Sequence, residues 1–89
     1  KNGVKEGPFK IWYRDGSKSK ETIYKNGKKN GLTREWYKNG ILKIETNFKN
    51  GKKNGIHTEW DHNGKKVIEG KFNLGVLISK KIIGKRFLR

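Results

Sequence analysis

The sequence predicts an all-β chain, an elongated antiparallel meander of tandem β-hairpins with a 24-residue period. Three observations lead there. Trp12, Trp36 and Trp60 stand 24 residues apart, and three glycine series keep the same step: Gly3, Gly27, Gly51 and Gly75; Gly7, Gly31 and Gly55; Gly16, Gly40 and Gly64. Glu21, Glu45 and Glu69 repeat in phase with them, as does the aromatic series Tyr24, Phe48 and Phe72. Asn-Gly pairs divide short alternating runs of strand formers, the strongest short-range hairpin signal.

The middle repeat shows the elements in order. Leu32 to Tyr37 reads as a strand, Lys38-Asn39-Gly40 as its turn, and Ile41 to Phe48 as the returning strand. Lys49 to Gly55 then brings the chain back, with two glycines supplying the positive φ angles of a longer turn. No room is left for a helix. A three-residue loop with Gly40 left-handed sets Trp36 opposite Leu42, Arg34 opposite Ile44 and Glu35 opposite Lys43. That register is expected to gather Leu32, Trp36, Leu42, Ile44 and Phe48 on one side. The repeats divide as 1–23 (incomplete), 24–47 and 48–71, with 72–89 a degenerate terminal repeat or cap. An aromatic residue matching Tyr24 is missing ahead of Lys1, so further repeats are expected upstream, or a removed leader.

Only 30% of the 89 residues are hydrophobic and there is no cysteine. A chain of this size buries roughly 60% of its unfolded surface, so an open repeat suits it better than a compact core. Neither a disulfide nor a cysteine-zinc site can staple it. No apolar run is long enough to span a bilayer.

Phe48-x-x-Gly51-x-x-x-Gly55-x-x-x-x-Trp60-x-x-x-Gly64-x-x-x-x-Glu69 resembles the bacterial variant of the MORN (membrane occupation and recognition nexus) repeat. Tyr24 to Glu45 carries the same pattern, and Gly3 to Glu21 carries it without the leading aromatic. Three matches in phase cover roughly residues 2 to 72. Ser79 and Gly84 depart from the pattern where a glycine and a tryptophan would stand. The resemblance implies an extended antiparallel sheet of hairpins. It extends to YwqK-type antitoxins and to exported repeat proteins of AT-rich bacteria, and implies scaffolding or membrane association rather than one fixed activity.

Charge is the second informative feature. Lys and Arg total 23 against 8 acidic residues, a formal net charge of +15. Such a balance favours acidic proteins, anionic lipids or phosphates. Richness in Lys, Asn and Ile with no Ala is also what an AT-rich genome writes, although Glu, equally AT-codable, is scarce. Lys25, Lys28 and Lys29 fall in one return turn and Lys49, Lys52 and Lys53 in the next, with Lys1 and Lys5 in the matching place upstream. Strand spacing of about 4.8 Å puts successive clusters about 10 Å apart, a basic ridge on mobile loops suited to salt-sensitive recruitment. Bidentate readout favours arginine, and only Arg14, Arg34, Arg86 and Arg89 exist. Sequence-specific nucleic-acid recognition is therefore not expected.

The tryptophans, a possible aromatic surface, read first as framework packing against the neighbouring hairpin and the Phe/Tyr column. Their second reading is an exposed groove for a peptide, a sugar or bases. No catalytic constellation, cofactor site or metal site is expected. There is no cysteine nucleophile, and no serine has a histidine nearby in sequence. Glu21, Glu45 and Glu69 recur in equivalent places, whereas acid/base pairs need different environments; cross-strand pairing to lysine is their expected role. His57, Asp61 and His62 lack a fourth ligand.

Gly75 to Arg89 differs in kind, with seven apolar residues, no acid, and Lys80, Lys81, Lys85, Arg86 and Arg89. It reads as a final hairpin from Val76 to Ile83 with a turn near Gly84. That hairpin is either a cap with lysines blocking strand addition or a basic-hydrophobic docking patch. The candidate partner-binding residues are Lys25, Lys28, Lys29, Lys49, Lys52, Lys53, Lys80, Lys81, Lys85 and Arg86. The expected function is that of a non-enzymatic repeat module for protein–protein interaction, antitoxin-like or host-directed, with an acidic partner surface favoured. The alternative is a peripheral binder of anionic membranes. The N-terminal edge is expected to pair with further repeats or with another copy.

Overall fold

The structure is a computed structural model and describes residues 4–83. Its strands are β1 (Gly7–Trp12), β2 (Lys18–Lys25), β3 (Lys28–Lys29), β4 (Gly31–Trp36), β5 (Leu42–Lys49), β6 (Lys52–Trp60), β7 (Lys66–Asn73) and β8 (Val76–Ile82). They form one antiparallel sheet in the order β1-β2-β4-β5-β6-β7-β8, with the short β3 pairing to β2. Each strand lies beside its neighbour in sequence, as a meander requires. The single proline, Pro8, falls on the edge strand β1, where a missing N–H is tolerated.

Two kinds of turn alternate. On one side of the sheet, Gly16, Gly40 and Gly64 have φ of 94°, 90° and 86°. Their N–H groups donate to the carbonyls of Tyr13, Tyr37 and Asp61, each at 3.0 Å. Tyr37 N–H donates to Ile41 O at 2.9 Å, closing the three-residue loop expected from the sequence, and Trp36 faces Leu42.

On the other side the turns are Asn26-Gly27, Asn50-Gly51 and Leu74-Gly75, all with φ positive at both residues. That is the tight two-residue turn whose twist matches the sheet. The expected long return turn from Lys49 to Gly55 is therefore corrected. Gly51 ends the turn, β6 resumes at Lys52, and Gly55, at φ 98°, sits inside β6. Nor are the return turns loose. The N–H groups of Gly27, Gly51 and Gly75 donate to the carbonyls of Lys5, Lys29 and Lys53 at 2.9, 2.8 and 2.7 Å. Asn50 N–H donates to Asn30 Oδ1 at 3.1 Å, Leu74 N–H to Asn54 Oδ1 at 2.9 Å, and Asn26 N–H to the Glu6 carboxylate. Each return turn is thus tied to the repeat before it.

The facing expected for the middle hairpin is corrected as well. Beyond Trp36↔Leu42 the register shifts by one residue, and the partners become Glu35↔Ile44, Arg34↔Glu45 and Thr33↔Thr46. A bulge at Lys43 does this: one extra residue on one strand moves everything after it to the other face. Ile44 and Phe48 thereby join Thr33 and Thr46, while Leu32 and Arg34 lie on the opposite face with Glu45. The sheet has two unlike faces, one carrying Tyr24, Phe48 and Phe72, the other carrying the tryptophans.

The described residues span 50 × 37 × 16 Å, the thickness of a single layer. Val67 is their one buried hydrophobic residue; Thr22, Thr33, Thr46 and Thr58 are the buried polar ones. Thr22 and Thr33 join hydroxyls at 2.5 Å, and Thr46 Oγ1 meets His57 Nδ1 at 2.6 Å. Threonine serves here because a β-branched stem suits the pleat while its hydroxyl finds a partner across the strand. Cohesion comes from these neighbour pairs and the backbone ladder, not from a thick core.

Candidate functional site

On the tyrosine-phenylalanine face the period brings lysines onto rings. Lys5 Nζ stands 5.0 Å from the centroids of both Phe9 and Tyr24, Lys29 Nζ 5.0 Å from Phe48, and Lys53 Nζ 5.2 Å from Phe72. The register explains the contact: Gly7, Gly31 and Gly55 pair with Tyr24, Phe48 and Phe72, and Lys5, Lys29 and Lys53 stand two residues before those glycines. An ammonium over a ring gains about 0.5–1 kcal/mol at an exposed site. That is enough to narrow the rotamers of a lysine without neutralising it. The result is a row of three oriented cations, one per repeat.

Outside this row, Lys25, Lys28, Lys49 and Lys52 are exposed along the return-turn edge. The stem of Lys28 lies against Gly51 and that of Lys52 against Gly75, so each crosses the following turn while its charge stays in water. Lys80 and Lys81 are exposed on the edge strand β8, on opposite faces. Lys85 and Arg86 lie outside the described residues. Of the described lysine and arginine side chains, Lys18 and Arg34 alone meet a carboxylate, Glu21 at 3.1 Å and Glu45 at 2.7 Å.

The tryptophan face is organised differently. Lys10, Glu21, Arg34, Glu45, Thr58, Glu69 and Lys81 are successive cross-strand partners, a charge-alternating column broken once at Thr58. The expected cross-strand pairing of the glutamates to lysine is corrected: Glu45 meets Arg34, Glu21 meets Lys18 of its own strand, and Glu69 faces Lys81 in register without an ion pair among the described residues. Trp12 is 55% exposed, and Trp36 and Trp60 are half-buried. Packing of the tryptophans against the Phe/Tyr column is corrected, because the bulges put the two columns on opposite faces. Instead Lys18 Nζ lies 5.0 Å over Trp36, and the Trp36 and Trp60 carbonyls accept from Tyr13 and Tyr37 hydroxyls at 2.5 and 2.8 Å.

The acids and histidines have local duties. Asp15 Oδ1 accepts from Ser17 Oγ at 2.7 Å and Ser17 N at 2.9 Å, and these bonds hold its carboxyl below the usual range. Asp61 Oδ1 accepts from Lys65 N at 3.0 Å and Asn63 N at 2.9 Å, with the same result. His62 stacks on Tyr37 with centroids 4.1 Å apart, while His57 Nε2 meets Glu59 Oε2 at 2.8 Å. His57, Asp61 and His62 are thus each engaged separately, and no metal-binding group of three exists among the described residues.

Sequence reasoning placed the lysines of the return turns in loops and missed that Lys29 and Lys53 reach the rings. The signal was present in the 24-residue step shared by Lys5, Lys29 and Lys53 and by the aromatics. It also missed a cleft at the end of the third repeat, between Gly70, Phe72 and Leu77. Its signal is a pair of departures from the period, at positions 70 and 77.

A single-layer sheet of tied hairpins with an oriented cation row defines a tandem-hairpin repeat module. The sequence profile described as MORN repeat variant matches residues 5–26, 29–50 and 53–73, most of the chain. The protein belongs to the MORN repeat variant family. Repeats of this family are commonly non-catalytic binding modules. Comparison with the curated proteins and with the solved structures finds no match.

Proposed function

We propose that the chain is a non-enzymatic binding module whose tyrosine-phenylalanine face and return-turn edge engage an acidic surface of a partner protein. The observation that carries this reading is the row Lys5, Lys29 and Lys53, held over aromatic rings and free of acidic partners among the described residues. Lysines left by genome composition alone would have no reason to share a face, a spacing and an orientation. Electrostatic complementarity of this kind sets encounter rate and register. A bacterial antitoxin-like or host-directed role, in which a toxin or an envelope protein supplies the acidic surface, is the form of the reading that the resemblance to YwqK-type repeats favours.

The test is titration of an acidic polypeptide, poly-glutamate, against Lys5, Lys29 and Lys53 changed together to Gln. Lys10, Lys71 and Lys81 changed to Gln serve as the control on the other face. Each lysine at a solvated contact contributes about 0.5–1 kcal/mol, so the first triple is expected to weaken binding about 10- to 100-fold. Equal losses from both triples would mean that only net charge matters, and would end the reading.

A second reading rests on β8, where Val76, Ile78 and Ile82 are 65, 57 and 68% exposed beside Lys80 and Lys81. Exposed apolar residues beside lysine are what an anionic membrane surface takes up. Flotation with phosphatidylserine vesicles is expected at low salt. Its absence there would remove the membrane and leave the protein partner.

A further inference from the structure

In a repeat protein the recurring residues are framework, so the residues that break the period mark what one repeat does differently. Two breaks in the period meet beside His57. The column that holds Thr22 and Thr46 holds Gly70, and the place of Lys5, Lys29 and Lys53 is taken, in the terminal segment, by Leu77. His57 stands in a column that varies, with Phe9 and Thr33 before it. The register sets His57 opposite Gly70 and Phe72 opposite Leu77, all on the tyrosine-phenylalanine face.

Gly70 is not required by the backbone, for it is absent from the glycines with positive φ. Nor is it required by crowding: a Cβ there would meet Ser79 O at 3.5 Å, Leu77 Cδ1 at 3.7 Å and Phe72 Cε1 at 3.7 Å, ordinary contacts. What the missing side chain does is open a cleft of about 190 Å³. Ile68, Phe72 and Leu77 wall it, and Lys53, Lys80 and Glu59 are the charged residues of its lining. His57, Nδ1 on Thr46 and Nε2 on Glu59, completes one side, its ring edge-on to Phe72 at 6.1 Å.

Size and charge limit the occupant. An apolar cavity of about 150 Å³ is known to hold a benzene ring, so this space suits one phenyl or branched aliphatic group and nothing drug-sized. Of the charged lining, Glu59 is engaged by His57 Nε2, while neither Lys53 nor Lys80 has a carboxylate partner among the described residues. We infer that the cleft at Gly70 is a binding site for a carboxylate bearing one aryl or branched apolar group, the group lying on Gly70 and the carboxylate between Lys53 and Lys80. A free organic acid and the last residue of a peptide chain both present that chemistry. The inference goes beyond the reading above, since its ligand is small and needs no acidic macromolecular surface.

The experiment is amide NMR titration of the intact chain with phenylacetate, and with the peptide Gly-Gly-Gly-Phe carrying either a free or an amidated C-terminus. Saturable shifts centred on His57, Gly70, Phe72, Leu77 and Lys80 are expected with the two carboxylates. The stronger of the two responses assigns the source, free acid or chain terminus. The amidated peptide is expected to bind at least about tenfold more weakly; equal binding would overturn the role of the lysine rim. Gly70→Thr restores the residue found at Thr22 and Thr46 and refills the cleft. It is expected to weaken phenylacetate by about tenfold or more, the loss when one apolar group is denied burial. Leu77→Ala, which removes an apolar wall without adding charge and is likewise expected to weaken phenylacetate, keeps the test open should Gly70→Thr fold poorly. Shifts spread evenly over every lysine turn, or binding unchanged in both variants, would show adventitious ion contact and overturn the site.

Discussion

The paired hydroxyls of Thr22 and Thr33 allow a test of what holds a sheet without a thick core. Thr22 is 1% exposed, Thr33 is 5% exposed, and their Oγ1 atoms lie 2.5 Å apart. Thr22→Val removes one hydroxyl at nearly constant shape and strands the other away from water. A buried polar group left without its partner costs about 1–3 kcal/mol. For a domain of this size each kcal/mol moves the melting temperature by roughly 4–8 °C. Either single change, Thr22→Val or Thr33→Val, is therefore expected to lower Tm by about 5–20 °C. The double change removes both polar groups together, and such replacements are nearly neutral or stabilising. It is expected to recover most of the loss, with a coupling of at least about 1 kcal/mol in the double-mutant cycle. Thermal unfolding followed by circular dichroism, with urea titration to check that the slope is unchanged, measures all four proteins. Additive losses in the double variant would refute the reasoning, because they would show that each hydroxyl acts through something other than its partner.

Trp36→Ala, at a half-buried position under Lys18, is expected to cost about 3 kcal/mol or more, and Trp12→Ala, more than half exposed, clearly less; equal Tm losses would contradict this ordering. Leu74 holds φ 46° where Asn26 and Asn50 stand in the other return turns. Leu74→Asn should relieve about 1 kcal/mol of left-handed strain and raise Tm, and an unchanged Tm would show that Leu74 is held there by its own contacts. Asp61 has a depressed carboxyl pKa in the folded chain, first through the Lys65 amide. The unfolded chain therefore takes up the proton first, and stability present above about pH 4 is lost as pH falls through the folded value. Asp61→Asn is expected to flatten that acid limb in a pH series of urea midpoints, and an unaltered limb would assign it to other carboxylates.

The order of strands and the three-residue turn were legible because both depend on glycine, whose backbone freedom marks the sequence directly. Gly40 is read from the chain and found with positive φ, whereas the return turn was read too long: Asn50-Gly51 closes it and Gly55 lies inside β6. The facing of the strands was not legible beyond the first pair. Trp36 opposite Leu42 follows from loop length, but the bulge at Lys43 leaves no residue signature: the extra position is an ordinary lysine. With strand period two, that one unmarked residue sent Ile44 and Phe48 to the other face. The lysine row was half legible. Its spacing was visible, but its contact with the rings depends on a cross-strand register, which sets Gly31 opposite Phe48 and Gly55 opposite Phe72 and so brings Lys29 and Lys53, two residues earlier, to those rings.

The bulge explains how one thin layer can serve as both frame and surface. Were all the large residues gathered on one side, that side would be a broad apolar sheet requiring cover, and the other would carry only charge. By sending the tryptophans to one face and Tyr24, Phe48 and Phe72 to the other, the chain leaves each aromatic column narrow enough to be flanked by its own lysines. Lys18 lies over Trp36 on one face; Lys29 and Lys53 lie over Phe48 and Phe72 on the other. The lysines that keep the rings from open water are then the same groups that point charge outward. The pattern stops at Leu77, which faces Phe72 with no ammonium to offer. There a leucine stands in the cross-strand position that Lys29 holds beside Tyr24 and Lys53 beside Phe48, and Gly70 nearby leaves space for a group from another molecule. The end of the third repeat is thus where the frame stops closing over its aromatic residue.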